Sequence, residues 1–205
     1  MKIGVRTTTL LFLMGAIIPA ASSWGQADAG ATRPLQLSAF AGGTGTYTGY
    51  DGGQNASITA GADLGFGNYT YHSLLPSIEI RGTEPIYNGH LNAYKYFLGG
   101  IKIERSIPFH QFHPYVSVLF GRAEITYNPP GRLNPAGTVL YQQTNSSMFT
   151  GSAGFDYDVK SWLAFKAELM AQHYDTPVTT SGTALGTSIT FGAVYRFGYG
   201  NDVPR

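Results

Sequence analysis

The run Leu163-Ala164-Phe165-Lys166-Ala167-Glu168-Leu169-Met170-Ala171-Gln172-His173 decides the fold class. Leu163, Phe165, Ala167, Leu169 and Ala171 alternate with Ala164, Lys166, Glu168 and Gln172. Period two belongs to a strand with one apolar and one polar face. Ile58, Ala60, Ala62, Leu64 and Phe66 oppose Ser57, Thr59, Gly61, Asp63 and Gly65 in the same way. Ile189, Phe191, Ala193, Tyr195 and Phe197 oppose Ser188, Thr190, Gly192, Val194 and Arg196. Helical periodicity is almost absent.

Working outward, five weaker runs complete the set. They cover 35–46, 75–82, 93–104, 115–125 (apolar on both faces at first, then alternating around Arg122 and Glu124) and 148–157. Eight strands result, most near the ~9–11 residues a tilted strand needs to cross a bilayer. The connections run roughly 47–55, 67–74, 84–92, 105–113, 128–147, 158–161 and 174–187. Asp158-Val159-Lys160-Ser161 reads as a tight turn, while 128–147 and 174–187 are long and rich in Gly, Pro, Asn and Thr. Long loops at one end and shorter turns at the other describe an antiparallel up-and-down meander.

Composition narrows the class. Of 205 residues only 12% are charged, 27 are Gly and 14 are Tyr, against a usual charged share of about 25%. The absence of Cys excludes disulfides, thiolate zinc sites, a cysteine nucleophile and a lipid anchor on cysteine. A net charge of +1 is no footprint for nucleic acid. Lys2 and Arg6, the apolar stretch from Leu10 to Ile18, Pro19 and the small-residue end Gly25-Gln26-Ala27 read as an export signal cut after Ala27, with Ala21 as the second choice. The domain expectation is therefore a signal peptide over 1–27 and one β-domain over 28–205, with a short tail over 198–205.

Charge placement decides which face meets water. The polar faces carry Asp63, Glu79, Glu104, Glu124, Asp156 and Glu168 with Arg81, Lys102, Arg122, Lys166 and Arg196; the apolar faces carry Lys95, close to a strand end. A soluble barrel or sandwich spreads its charges outward and through its loops. Near-cancelling charges on one small-residue face instead describe a narrow lumen in which carboxylates pair with Arg and Lys. Tyr69, Tyr71, Tyr94, Tyr115, Tyr127, Tyr157, Tyr174 and Tyr195 fall near strand ends, where aromatic girdles belong. The fold class read from the chain is all-β, an eight-stranded antiparallel up-and-down transmembrane β-barrel. Its lumen charge network is Glu79, Arg81, Lys102, Glu104, Arg122, Glu124, Lys166, Glu168 and Arg196.

The leader, the eight strands, the loop rhythm and the stretches Pro114-Tyr115-Val116-Ser117-Val118-Leu119-Phe120-Gly121 and Phe191-Gly192-Ala193-Val194-Tyr195-Arg196-Phe197 resemble small OmpA/OmpX-type outer-membrane β-barrels. The resemblance covers nearly the whole mature chain at the level of pattern. It implies an outer-membrane location, periplasmic chain ends, extracellular loops and a side-chain-filled interior. It also implies outer-membrane lipid, lipopolysaccharide and the barrel assembly machinery as partners. One departure is that Phe197, in the place of a terminal aromatic, is followed by Gly198 to Arg205.

Catalytic readings are weak on the residues themselves. His110 and His113 have H-x-x-H spacing but lie in an expected turn between Pro108 and Pro114, which reads as solvated histidines rather than a metal site. His173 and Asp175 could orient a base, yet barrel lipid A deacylases place Ser where Asp175 stands. His72 and His90 read as loop residues, and Gly42-Gly43-Thr44-Gly45 lacks the Lys and helix of a phosphate loop. The expectation is a non-enzymatic envelope barrel without cofactor or metal. The alternatives are an adhesin-like or ligand-binding barrel, a lipid-modifying barrel enzyme and a soluble periplasmic β-barrel binding protein. Amino-terminal sequencing of the exported protein should read from Asp28; a retained leader would contradict the cleavage assignment.

Overall fold

The computed structural model describes residues 35–66, 74–87, 89, 92–105 and 111–197. The leader over 1–27, the tail over 198–205, and Tyr69, Tyr71, His72, His90 and His110 lie outside the described residues. Ten strands follow in order: β1 (Leu35–Tyr47), β2 (Gln54–Phe66), β3 (Leu74–Tyr87), β4 (Asn92–Arg105), β5 (Phe112–Tyr127), β6 (Arg132–Leu133), β7 (Leu140–Tyr141), β8 (Gln143–Lys160), β9 (Leu163–Asp175) and β10 (Thr183–Arg196). Eight of them close a barrel in the order β1-β10-β9-β8-β5-β4-β3-β2, and β6 pairs with β7 in a separate two-stranded hairpin.

Every barrel pairing is antiparallel and joins neighbours in the meander, and β1 closes on β10 from Ser38↔Arg196 to Tyr47↔Thr187. The strands outrun their sequence expectation at the long-loop end. β8 begins at Gln143 and β10 at Thr183, because polar residues that read as loop continue to pair with β5 and β9. At the other end β8 runs through Asp158 to Lys160, which shortens the expected 158–161 turn to its last residue and Trp162.

The sides are inverted relative to a soluble protein. Ile58, Ile78, Ile80, Phe97, Ile101, Val116, Val118, Phe120, Leu169, Ile189 and Phe191 are all exposed, while Asp63, Glu79, Arg81, Lys102, Asp156, Lys166 and Glu168 are buried. On β5 the outward apolar row runs from Phe112 to Phe120. At about 3.3 Å rise per residue and a strand tilt of roughly 40°, it covers about 20 Å, most of the apolar band of an outer-membrane barrel.

Tyr157 and Tyr195 point outward, and rings at the short-turn edge touch one another: Trp162–Tyr195 at 5.7 Å, Tyr195–Phe197 at 4.9 Å and Phe112–Phe155 at 4.9 Å between centroids. Tyr94, Tyr115, Tyr127 and Tyr174 are not girdle residues. All four are buried inside the barrel, because their positions in β4, β5 and β9 have the inward parity.

Leu169 is 61% exposed, midway along β9, and pairs with Ile189 and Ala153. Leu169→Arg should lower barrel stability by about 2–4 kcal/mol, read as a shift in urea unfolding in phospholipid vesicles. Equal stability of the two proteins would mean that this face does not meet hydrocarbon.

Candidate functional site

Eight strands leave an interior about as wide as the side chains that fill it. The lumen of this chain is divided along its axis. The short-turn half is charged, and the long-loop half is uncharged, aromatic on one wall and lined by hydroxyls on the other.

The charged half is built by alternation. β3 turns Glu79 and Arg81 inward, β9 Lys166 and Glu168, β4 Lys102 and Glu104, and β8 Asp156 and Asp158. Arg81 reaches across the barrel and grips Glu168 with both terminal nitrogens, Nη2 to Oε2 at 2.8 Å, while also contacting Glu79 on its own strand. β3 and β9 are four places apart in a ring of eight, so this bidentate pair spans the full diameter. Tyr115 donates to the same Glu168 carboxylate at 2.9 Å. Lys102 Nζ lies 3.2 Å from Asp63, 3.3 Å from Asp156 and 3.6 Å from Glu104, tying β4 to β2 and β8.

Between these clusters cations and rings alternate. Arg81 sits 5.4 Å from the Phe40 ring centroid and Lys166 Nζ 4.5 Å from it; Lys166 is 4.2 Å from the Tyr115 ring and Lys102 4.3 Å. Each ring lies over a glycine on the adjacent strand, Phe40 over Gly61 and Tyr115 over Gly154. A Cβ at Gly61 would come within 2.5 Å of the Phe40 ring, and one at Gly154 within 2.6 Å of the Tyr115 hydroxyl. Glycine is therefore required beneath both rings. The contact supplies Lys166 with cation–π stabilisation where Glu168, at 3.8 Å, is its nearest anion.

At the short-turn mouth Asp158 accepts from Arg196 and lies 3.1 Å from Nε2 of His113. His113 is 2% exposed, so it is a lumen residue rather than a solvated turn histidine; β5 starts at Phe112 and carries it inward. Sequence reading missed Asp158 and His113 because both were placed in turns. The parity of Ser152 and Asp156, extended two residues, would have found Asp158.

Seven members of the expected network lie inside: Glu79, Arg81, Lys102, Lys166, Glu168 and Arg196 are buried, and Glu104 is half-buried. The other two, Arg122 and Glu124, are on the outer face. Inward positions of β5 are odd-numbered, from His113 through Tyr115, Ser117 and Leu119 to Ala123, Ile125 and Tyr127. Glu124 pairs across the outer surface with Lys95 at 2.9 Å. The apolar start of this strand on both faces hid its parity.

The long-loop half is packed with Tyr94, Tyr96, Leu98, Leu119, Ala123, Ile125, Tyr127, Met148, Met170, Tyr174 and Ala184. The charged filling therefore ends midway, while buried hydroxyl side chains continue on the wall opposite this cluster. Tyr50, from the β1–β2 loop, folds into this cluster, and burial pushes its phenol up from its ordinary value, so it stays neutral there. Arg132 of β6 pairs with Asp51 and lies 5.9 Å from the Tyr50 ring centroid. Tyr174 donates to the carbonyl of Thr48. A row of hydroxyls runs around the facing wall, Thr190–Thr44 at 2.8 Å, Thr44–Thr59 at 2.6 Å and Thr59–Thr83 at 2.8 Å.

His173 and Asp175 point outward while Tyr174 points inward, and the β8–β9 register sets the outward Ser147 at the level of Asp175. Among the described residues no three His, Asp or Glu side chains are grouped to hold a metal. The chemistry of this interior is mutual neutralisation and space filling. Arg81→Ala would strand Glu79 and Glu168 without their shared cation, and breaking a buried pair from one side costs about 3–5 kcal/mol. Urea unfolding in vesicles should show that loss; a variant as stable as the parent would remove Arg81 from the network.

No protein-family model matches the chain, and no curated protein matches it. Solved structures do resemble it. Neisserial surface protein A aligns over 80% of this chain and 97% of its own, with 11% identity and a TM-score of 0.51. The Ail protein of Yersinia pestis aligns over 80% and 97%, with 11% identity and a TM-score of 0.49. The amino-terminal barrel domain of Pseudomonas aeruginosa OprF aligns over 80% and 99%, with 16% identity and a TM-score of 0.43. The likeness to Neisserial surface protein A, together with the closed eight-stranded meander, identifies the fold as that of the small OmpA/OmpX-type outer-membrane β-barrels.

Proposed function

We propose that this chain is a small, non-enzymatic outer-membrane barrel of the cell envelope, with a sealed interior and extracellular loops available for surface contacts. The carrying observation is the inversion of sides: a belt of exposed Ile, Val, Leu and Phe surrounds buried carboxylates and cations that pair with one another. Only a solvent of hydrocarbon makes that arrangement favourable. The short turns face the periplasm and the long loops the exterior. Outer-membrane lipid and lipopolysaccharide are its surroundings, and the barrel assembly machinery inserts it.

The surface-contact part of this reading is supported by the β5–β8 connection. Its β6–β7 hairpin turns Arg132 and Tyr141 toward the mouth and leaves Leu133, Val139 and Leu140 exposed. The sealed interior is supported by the Arg81–Glu168 bridge below and the tyrosine cluster above it. Membrane-fraction protein should need detergent for extraction and migrate faster on gels before heating than after. In planar bilayers it should give no steady large conductance. Extraction without detergent would sink the membrane reading, and a stable open channel would sink the sealed lumen.

A further inference from the structure

We propose that the outer face of β4, β5 and β8 seats the phosphate headgroup of an anionic outer-leaflet lipid, with Arg122 as the phosphate ligand. This rests on the outer-membrane reading above and adds a specific lipid chemistry to it.

The starting point is the parity of β5. Arg122 follows Val116, Val118 and Phe120 on the outward row and is itself exposed. It stands one step beyond the apolar band on the lipid side of the wall, with its strand neighbours Ala123 and Gly121 facing in. The register sets it opposite Phe97 on β4 and Ser147 on β8, and one step lower Phe120 lies opposite Phe149. Phe97, Phe120 and Phe149 are all exposed. A cation thus sits beside the Phe97 ring and above the lipid-facing rings of Phe120 and Phe149, which is the layout of a headgroup above its acyl chains.

The charge balance around Arg122 leaves it available. The nearest outward carboxylate on its own strand, Glu124, is held by Lys95 at 2.9 Å. Asp175 also faces outward, but it is on β9, and β8 stands between. At about 4.8 Å per strand that separation is about 10 Å. Among the described residues no carboxylate forms an ion pair with Arg122. The lumen carboxylates are on the other side of the wall.

The side chain suits the task. The arginine stem can lie on the apolar surface while its guanidinium rises to the headgroup level. Its planar fork of donors matches two phosphate oxygens at once, which an ammonium does not. The Ser147 hydroxyl on the adjacent strand adds a neutral donor. The source of the phosphate is a lipid rather than free phosphate, because the rings below the cation are continuous with the hydrocarbon belt and offer a soluble anion nothing.

The test uses the full chain in nanodiscs of phosphatidylcholine, alone or doped with lipid A, whose headgroup carries phosphate monoesters. The lipid retained is counted by native mass spectrometry after release into mild detergent. The parent should retain lipid A in preference to phosphatidylcholine. Arg122→Gln should weaken lipid A retention about tenfold, the scale of one charge-assisted hydrogen-bonded contact. Arg122→Lys should recover part of it, and Glu84→Gln, outward on β3, should leave it unchanged. Inorganic phosphate at millimolar concentration should not displace the lipid.

Equal retention by the parent and Arg122→Gln would overturn the proposal, as would displacement by inorganic phosphate. Heat-modifiable migration of each variant separates the two levels of failure. A barrel that embeds without preferring lipid A removes only the headgroup site, while a parent chain that does not embed removes the outer-membrane reading and this site with it.

Discussion

Everything in this structure follows from closing eight strands around an interior one side-chain layer wide. In so narrow a space a charge has no water to retreat to, and an unpaired one costs several kcal/mol. The Arg81–Glu168 bridge answers that constraint across the full diameter, and Lys102 answers it around the wall through Asp63 and Asp156. Because these partners come from β2, β3, β4, β8 and β9, the charges that fill the lumen also hold the closed barrel together.

The aromatic rings extend the same logic. Phe40 and Tyr115 could lie flat only because Gly61 and Gly154 beside them carry no side chain. Flat rings then present their faces to Arg81, Lys166 and Lys102. Among the described residues the interior holds six carboxylates, Asp63, Glu79, Glu104, Asp156, Asp158 and Glu168, against Arg81, Lys102, Lys166 and Arg196. His113 stands beside Asp158 at the short-turn mouth. Toward the long loops the strategy changes from pairing charges to excluding them. Tyrosine and methionine pack the lumen there; Tyr174 donates to the Thr48 carbonyl, Tyr127 pairs with the Thr176 hydroxyl and Tyr94 donates to the Met148 sulfur.

The outer surface shows the complementary rule. Hydrocarbon tolerates no charge, so Lys95, Arg122 and Glu124 mark the level at which β4 and β5 leave the apolar band. β8 carries the wall further still, with Ser147, Asn145 and Gln143 on its outward side above Phe149. The β6–β7 hairpin crowns this taller side of the barrel, and its Arg132 clamps the inward-folded β1–β2 loop through Asp51. The same connection therefore holds the β1–β2 loop with one face and leaves Leu133 and Leu140 exposed on the other.

The sequence by itself determined the eight barrel strands, the meander and the inversion of sides, because alternation with period two is a local property of each strand; the β6–β7 hairpin, two residues a strand, has too short a run to show it. Where one face is charged and the other aliphatic, as from Leu163 to His173, the residues alone say which side meets lipid. β5 shows the limit: Tyr115, Leu119 and Ile125 are as apolar as Val116, Val118 and Phe120, so its parity had no local marker. The ladders with β4 and β8 decided it, placing Glu124 against Lys95 outside and Tyr127 inside. The tyrosines divided for the same reason, since an aromatic suits both a girdle and a plug. Which charge meets which was decided only by the stagger of strands distant in the chain: Arg81 and Glu168 are 87 residues apart, and only barrel closure brings them face to face.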